Sequence, residues 1–223
     1  MTASMLEQME ALLANLPAGS TKHDMTTGFE VMARWIRALE NDRRAQVLSE
    51  LLAWLEDDHA WHARAVMEIA LDLSNRQLLE AAVREARRRG VRDLASGEGY
   101  PPWLIFQLDL LSTISRWQAE PGPEVRAHLI DLRQGISATS YSRRLLAIRA
   151  WFTECLWEVA GRRTRCLSEG MAELRKWRDA RLLRSGLSLL HAYFASTDRG
   201  VADLQQVLTS EEFAMACPDL VVD

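Results

Sequence analysis

The placement of proline constrains the fold of this chain more than any other feature. All six prolines lie between stretches in which leucine, alanine and tryptophan recur every three or four residues. Proline interrupts a helix interior, and this apolar spacing matches one face of an α-helix, so the stretches between prolines are predicted to be helical. No stretch alternates polar and apolar residues as a strand does, and no Asn-Gly or Asp-Gly hairpin signal occurs. The sequence therefore predicts an all-α fold.

Capping residues indicate where individual helices begin and end. Thr27 precedes Glu30 by three residues, which predicts a capping box, and Asn75 is the expected N-cap of a helix that ends in three arginines before Gly90. Pro123 suits the first position of another helix. Because cations and glycine are both favoured at helix C-termini, we interpret the arginine run before Gly90 as a helix end and not as a phosphate site.

The second half of the chain shows longer helical patterns. Two of them cover about 139–160 and 164–195, the second broken near Asp179 or Gly186, and a short helix is expected around 200–209. The whole sequence predicts about ten helices joined by short turns, which makes a helical array or bundle. We expect a single all-helical domain over 1–223, with the loop 91–102 as a point of sub-division.

Two segments resemble a known helical repeat. "HARAVMEIAL" and "EVRAHLIDL" each contain an arginine, Arg64 or Arg126, followed by apolar residues three and six positions later. This pattern is similar to the second helix of the HEAT-type repeat, where an arginine after the turn precedes an apolar helix face. The resemblance implies an α-solenoid of stacked helix pairs with an extended surface. An irregular helical bundle is the alternative architecture.

Cysteine spacing and hydropathy bear on the compartment. Cys155, Cys166 and Cys217 are widely spaced and form no CxxC pair, which excludes a zinc framework and a thioredoxin-type motif. We expect three buried, reduced thiols. The first twenty residues do not resemble a secretory signal, and no stretch approaches the roughly 18 apolar residues of a membrane span. The sequence therefore predicts a cytoplasmic protein without a membrane contact.

Few residues suggest cofactor or catalytic chemistry. Glu56 and His59 form one Glu-x-x-His pair, with His62 three residues further on, whereas di-iron bundles use two such pairs, and no HExxH arrangement is present. His59 and His62 are thus the only metal candidates, and no cofactor is expected. Nucleophile elbows, phosphate loops and dinucleotide fingerprints are also missing from the sequence. This favours a non-catalytic protein.

Charge distribution suggests two functions. Basic residues outnumber acidic ones in 121–199, while acidic residues dominate on both sides and the net charge is −4. A segregated surface of this kind favours a protein-binding module, such as an adaptor, a regulator or an immunity/antitoxin-type partner. Tryptophan and arginine are common at interface hot spots. The candidate partner-binding residues are Trp61, Trp177, Arg162, Arg163, Arg165 and Arg178.

The alternative is a nucleic-acid-binding protein. Residues 143–184 are rich in arginine, and clustering of these side chains on one face would make a groove that follows phosphates. HEAT-like DNA glycosylases are a precedent of similar size, although their paired Trp-Asp element does not occur here. The sequence leaves the oligomeric state and the identity of the partner open.

Overall fold

The computed structural model describes the backbone of residues 22–56, 60–91, 99–137 and 139–220, and the side chains within these ranges except those of residues 22–27, 60 and 61. This part of the chain forms eleven α-helices and one short 3-10 helix, and its only β interaction is an isolated bridge between Val91 and Tyr100. The prediction of an all-α fold is confirmed.

The helices follow one another with short connections. The first five are α1 (Lys22–Ala38), α2 (Asn41–Glu56), α3 (Ala60–Leu73), α4 (Arg76–Arg89) and α5 (Pro102–Ala119). The next six are α6 (Pro123–Gln134), α7 (Tyr141–Cys155), α8 (Ala160–Lys176), α9 (Ala180–Phe194), α10 (Asp198–Val207) and α11 (Ser210–Ala216), and the 3-10 helix covers Pro218–Leu220.

Several predicted helix boundaries are confirmed. The side chain of Asn75 accepts a hydrogen bond from the Leu78 amide at 3.0 Å and caps α4. Gly90 follows that helix with a φ of 75°, a conformation that glycine adopts without strain. Pro123 occupies the first turn of α6, and Asp179 caps α9. At these four positions a short polar side chain, a glycine or a proline marks a helix end.

Other boundaries differ from the prediction. Thr27 is not an N-cap, because α1 already begins at Lys22 and the residue lies within that helix. The pattern at 139–160 contains a turn at residues 156–159, since α7 ends at Cys155 and α8 begins at Ala160. The predicted break of the second pattern occurs before Asp179, where Arg178 has a φ of 51°. Gly186 is buried inside α9 instead, and α11 was not predicted.

The chain divides into two compact units, residues 1–115 and 116–223, so the division lies within α5 and C-terminal to the loop 91–102. In the first unit α1 packs on α3, and α2 packs on both α3 and α4. In the second unit α7 packs on α6, α8 and α9, while α8 also contacts α10 and α9 contacts α11. Contacts between helices two places apart thus recur within each unit. Arrays of stacked helix pairs use the same kind of contact.

A disulfide replaces two of the three expected thiols. Cys155 and Cys166 are joined by a disulfide with a Cα–Cα distance of 5.8 Å, and Cys217 is free and buried. The prediction of three reduced thiols is therefore wrong for the first two. The physical reason is the turn at 156–159, which folds α8 back against α7 and brings the last residue of α7 beside the second turn of α8.

Candidate partner-binding surfaces

The predicted site residues occur in three different environments. Arg162 and Arg165 lie in the first two turns of α8, whereas Trp177 and Arg178 follow its opposite end. Seventeen residues of helix separate these ends by about 25 Å at 1.5 Å per residue. Arg163 points into the protein. His59 and the side chain of Trp61 lie outside the described residues, so their predicted roles remain predictions.

A cleft of about 300 Å³ lies beside the α7–α8 turn. We call it the arginine pocket. Helices α6, α7 and α8 and the turn between the last two all contribute to its walls. The lining residues are Arg126, Arg133, Trp151, Glu154, Glu158, Arg162, Arg165, Cys166 and Glu169.

Ion pairs neutralise most charges of the arginine pocket. Glu154 is buried, with Oε2 3.2 Å from Nη2 of Arg133 and Oε1 3.6 Å from Nη2 of Arg126. Glu158 also pairs with Arg126. These contacts hold α6 against the end of α7, and the pair between Arg133 and Glu154 is the most buried one.

Two basic groups of the pocket remain available to a ligand. Arg162 is exposed, and its guanidinium group makes no hydrogen bond or ion pair with any residue that the structure describes. Arg165 lies 3.0 Å from Glu169, but both side chains are exposed, so this pair contributes little and can be broken at small cost. The pocket has four guanidinium groups and three carboxylates, and its excess positive charge is therefore centred at Arg162.

Trp151 forms an aromatic wall of the same pocket. The guanidinium carbon of Arg133 lies 4.3 Å from the centre of the Trp151 ring, which is cation–π contact distance. The Nε atoms of Arg126 and Arg133 are buried without a hydrogen-bond partner in the described structure. The pocket wall therefore contains two guanidinium groups that each have an N–H donor without an acceptor among the described residues.

The α7–α8 turn exposes large apolar side chains next to the pocket. Trp157 is 54% exposed and Val159 is 65% exposed, while Glu158 between them lines the pocket. The indole Nε1 of Trp157 donates a hydrogen bond of 2.9 Å to the Trp117 carbonyl oxygen, which fixes the ring in place. The disulfide closes the segment that contains the turn. A rigid, exposed tryptophan is the type of residue that anchors protein interfaces.

Sequence reasoning did not identify this turn or most of the pocket. In the sequence Trp157 looks like part of an apolar stripe, because the apolar spacing continues through residues 156–160 and neither glycine nor proline marks the turn. Arg126, Glu154 and Glu158 meet only through the packing of α6 on α7. No local pattern reports such a contact.

A second basic surface lies at the other end of the α7–α8 pair. The guanidinium group of Arg144 lies 5.6 Å from the Trp177 ring, and that of Arg181 lies 4.6 Å from the Tyr141 ring. Tyr141 also shares a hydrogen bond of 2.8 Å with Ser185, which joins α7 to α9. Exposed Arg178 lies beside them in the turn before α9. We call this the aromatic–arginine surface, consisting of Tyr141, Arg144, Trp177, Arg178 and Arg181.

Other arginines of residues 143–184 stabilise the fold. Arg163 is only 12% exposed, and its Nε donates a 2.6 Å hydrogen bond to Asp203 of α10. Arg175 binds both carboxylate oxygens of Glu212, at 2.9 and 2.6 Å. That hydrogen bonding lowers the pKa of Glu212 and outweighs the opposing effect of burial. The arginine-rich region therefore does not form one continuous face.

The remaining metal candidate has a packing role. The His62 ring stacks on Trp54 with 4.9 Å between ring centres. Among the residues that the structure describes, no three His, Cys, Asp or Glu side chains are grouped as metal ligands would be. Within the same ranges, none of the helices has the length and apolar character that a membrane crossing requires.

Comparisons with protein-family models, with curated proteins and with solved structures found no match for this chain.

Proposed function

We propose that this protein is a non-catalytic helical protein-binding module and that its partner docks on the α7–α8 turn and the adjoining arginine pocket. The observation behind this proposal is the proximity in sequence of two exposed apolar side chains, Trp157 and Val159, to the Arg162 guanidinium group, which has no partner among the residues that the structure describes. Buried apolar area supplies affinity in an interface, and charged groups at its edge supply specificity. An adaptor, a regulator and an immunity/antitoxin-type protein would each use such a surface.

The helical array supports a binding role. Contacts between helices two places apart occur for α7 and α9, for α8 and α10, and for α9 and α11. A HEAT-like α-solenoid is built by contacts of this type, and it presents rigid turns at its edges. Preorganised turns bind with a smaller entropy loss than flexible ones do.

The charge of the pocket indicates the chemistry of the partner. Because the acidic residues of the pocket already pair with arginines, an incoming group meets Arg162 as the charge that no described residue compensates. A carboxylate side chain can accept two parallel hydrogen bonds from a guanidinium group. We therefore propose a partner segment that places an apolar group on Trp157 and an acidic side chain at Arg162.

Nucleic-acid binding is the second candidate, and the aromatic–arginine surface favours it. Arginine and aromatic rings alternate there, and bases stack on such rings while phosphates pair with arginine. The nearest acidic residue in sequence, Asp179, already accepts two backbone hydrogen bonds as the α9 cap. This surface would bind single-stranded nucleic acid with strong salt dependence.

One experiment separates the two candidates. The full chain, tagged, is used to recover partners from native lysate with and without nuclease, alongside Trp157→Ala, Arg178→Ala/Arg181→Ala and Met215→Ala. Met215 is 46% exposed on α11 and is the matched apolar control. We expect a nuclease-resistant, acidic protein that Trp157→Ala loses and Met215→Ala retains, with all variants folded by circular dichroism. Recovery that nuclease and Arg178→Ala/Arg181→Ala abolish, and Trp157→Ala does not, would contradict the protein-binding proposal and support the second candidate.

The cytoplasmic location predicted from sequence also remains a proposal. Disulfides are rare in reducing compartments, and those that occur there usually exchange with other thiols. A cytoplasmic protein with the Cys155–Cys166 disulfide should therefore have a disulfide that solution thiols can reach.

A further inference from the structure

The two sulfur atoms of the disulfide have different surroundings. Cys155 is fully buried in the core formed by α7 to α11. Cys166 is partly exposed and lines the arginine pocket. A nucleophile from solution can therefore approach the Cys166 side of the bond through the pocket, whereas the Cys155 side is covered by protein.

The charge of the pocket selects among nucleophiles. Thiol–disulfide exchange begins when a thiolate attacks one sulfur of a disulfide, and access to that sulfur influences the rate. Arg162 and Arg165 lie one turn and one residue before Cys166 on α8, and both line the same cleft. Since Arg162 has no acidic partner in the described structure, a thiol that also has carboxylate groups gains an ion pair on entering.

We propose that the arginine pocket is a thiol-exchange site for small thiols that bear carboxylate groups, with Cys166 as the residue that becomes modified. The thiolate sulfur of the small molecule bonds to Sγ of Cys166, and the bond between Cys166 and Cys155 breaks. Its electron pair leaves on Sγ of Cys155, which takes a proton from water and remains as a buried thiol. The incoming sulfur is oxidised and Cys155 is reduced, so no other oxidant or reductant is consumed.

A second small thiolate completes the reduction. It attacks the sulfur of the bound small molecule, forms the symmetrical small disulfide and releases Cys166 as a thiolate. Two small thiols are oxidised for each protein disulfide reduced. This chemistry goes beyond the proposed function, because it needs the pocket and the disulfide but no protein partner.

The test compares three thiols of different charge on the oxidised full-length protein: mercaptosuccinate, which is anionic, 2-mercaptoethanol, which is neutral, and cysteamine, which is cationic. The reactions are run at equal thiolate concentrations and quenched with acid. Each rate is divided by the rate at which the same thiol reacts with a small neutral disulfide. Mass spectrometry of peptides locates the adduct. We expect mercaptosuccinate to react about five- to tenfold faster than cysteamine, in keeping with local electrostatic attraction, and to modify Cys166.

Two variants show whether the pocket causes this preference. Arg162→Ala should reduce the ratio of the mercaptosuccinate rate to the cysteamine rate toward the ratio that the small disulfide shows. Arg199→Ala removes an exposed arginine of α10 that does not line the pocket, and it should leave the ratio unchanged. Equal normalised rates for the three thiols, or an adduct on Cys155, would overturn the proposal. So would alkylation of three thiols, instead of Cys217 alone, in protein that is purified, oxidised in air and then unfolded without reductant.

Discussion

Glu212 links two helices of the second unit through its carboxylate. It accepts hydrogen bonds from Arg175, and it forms a capping box with Thr209 at the start of α11. Hydrogen bonding to Arg175 lowers its pKa below the ordinary value of 4.5, although burial alone would raise it. One carboxylate thus joins α8 to α11 and also accepts a hydrogen bond from the Thr209 amide at the start of its own helix.

We predict that Glu212→Gln lowers the free energy of unfolding at pH 7 by about 1–2 kcal/mol, since hydrogen bonds to charged groups are stronger than neutral ones. The carboxylate has a lower pKa in the folded chain than in the unfolded chain. Its stabilisation is therefore complete above pH 4.5 and is lost as the pH falls through the folded-state pKa.

Urea unfolding at pH 7 and at pH 3.5 measures this effect. The difference between the wild type and Glu212→Gln should shrink at the lower pH. Glu211→Gln, at the exposed neighbouring position, should match the wild type at both pH values. An undiminished difference at pH 3.5 would show that the effect of Glu212 is not electrostatic.

At the residue scale, the sequence shows which side chains are charged but not whether each one points into the protein or toward solvent. Arg162, Arg163 and Arg165 formed one predicted basic group, yet Arg163 pairs with Asp203 in the interior while the other two line the arginine pocket. Successive residues on a helix point about 100° apart, so a run of arginines cannot share one environment. The partner of Arg163 lies forty positions away, and local spacing contains no information about it.

At the scale of elements, close helix packing depends on a few glycines. Gly200 lies in the first turn of α10, and its amide donates to the side chain of Thr197, the N-cap. A Cβ atom at this position would overlap the carbonyl oxygen of Phe194. That oxygen belongs to the backbone, so no side-chain rotation can relieve the contact.

We predict that Gly200→Ala lowers the free energy of unfolding by about 2–3 kcal/mol through overpacking. Gly161→Ala is the matched control, because nothing lies within 4 Å of a Cβ atom there and the residue is exposed in α8. This control should be neutral or more stable by about 0.5 kcal/mol, as alanine is the better helix former. Chemical unfolding followed by circular dichroism measures both, and equal midpoints for the two variants would refute the packing explanation.

Helix ends marked by a capping side chain, a glycine or a proline were predictable from the sequence, whereas a turn without such a residue was not. Asn75, Gly90, Pro123 and Asp179 all mark real boundaries. The turn at 156–159 has no such residue, and α8 begins with Val159 as its N-cap without a side-chain hydrogen bond. The capping box at Thr209 and Glu212 was visible in the sequence and would have located α11. The turn depends instead on the packing of α8 on α7.

At the scale of the whole molecule, the all-α class followed from periodicity, but the division into two units did not. Apolar stripes show that a helix has a buried face without showing which helix covers it. The core of the second unit, for example, brings Phe152 of α7 together with Leu190 of α9 and Leu204 of α10. The arginine pocket results from the same long-range packing, which is why only Arg162 and Arg165 of its lining were predicted as binding residues.

The central claim is that a protein partner binds the α7–α8 turn, and site-specific photo-cross-linking tests it most directly. A photo-reactive phenylalanine analogue is placed at position 159 and, as the control, at exposed position 215 of the same unit. After irradiation in native lysate, we predict one dominant cross-linked protein from position 159, reduced several-fold by Arg162→Glu and missing from position 215. Equal cross-linking from both positions, or none from position 159 while a partner is still recovered, would contradict the claim.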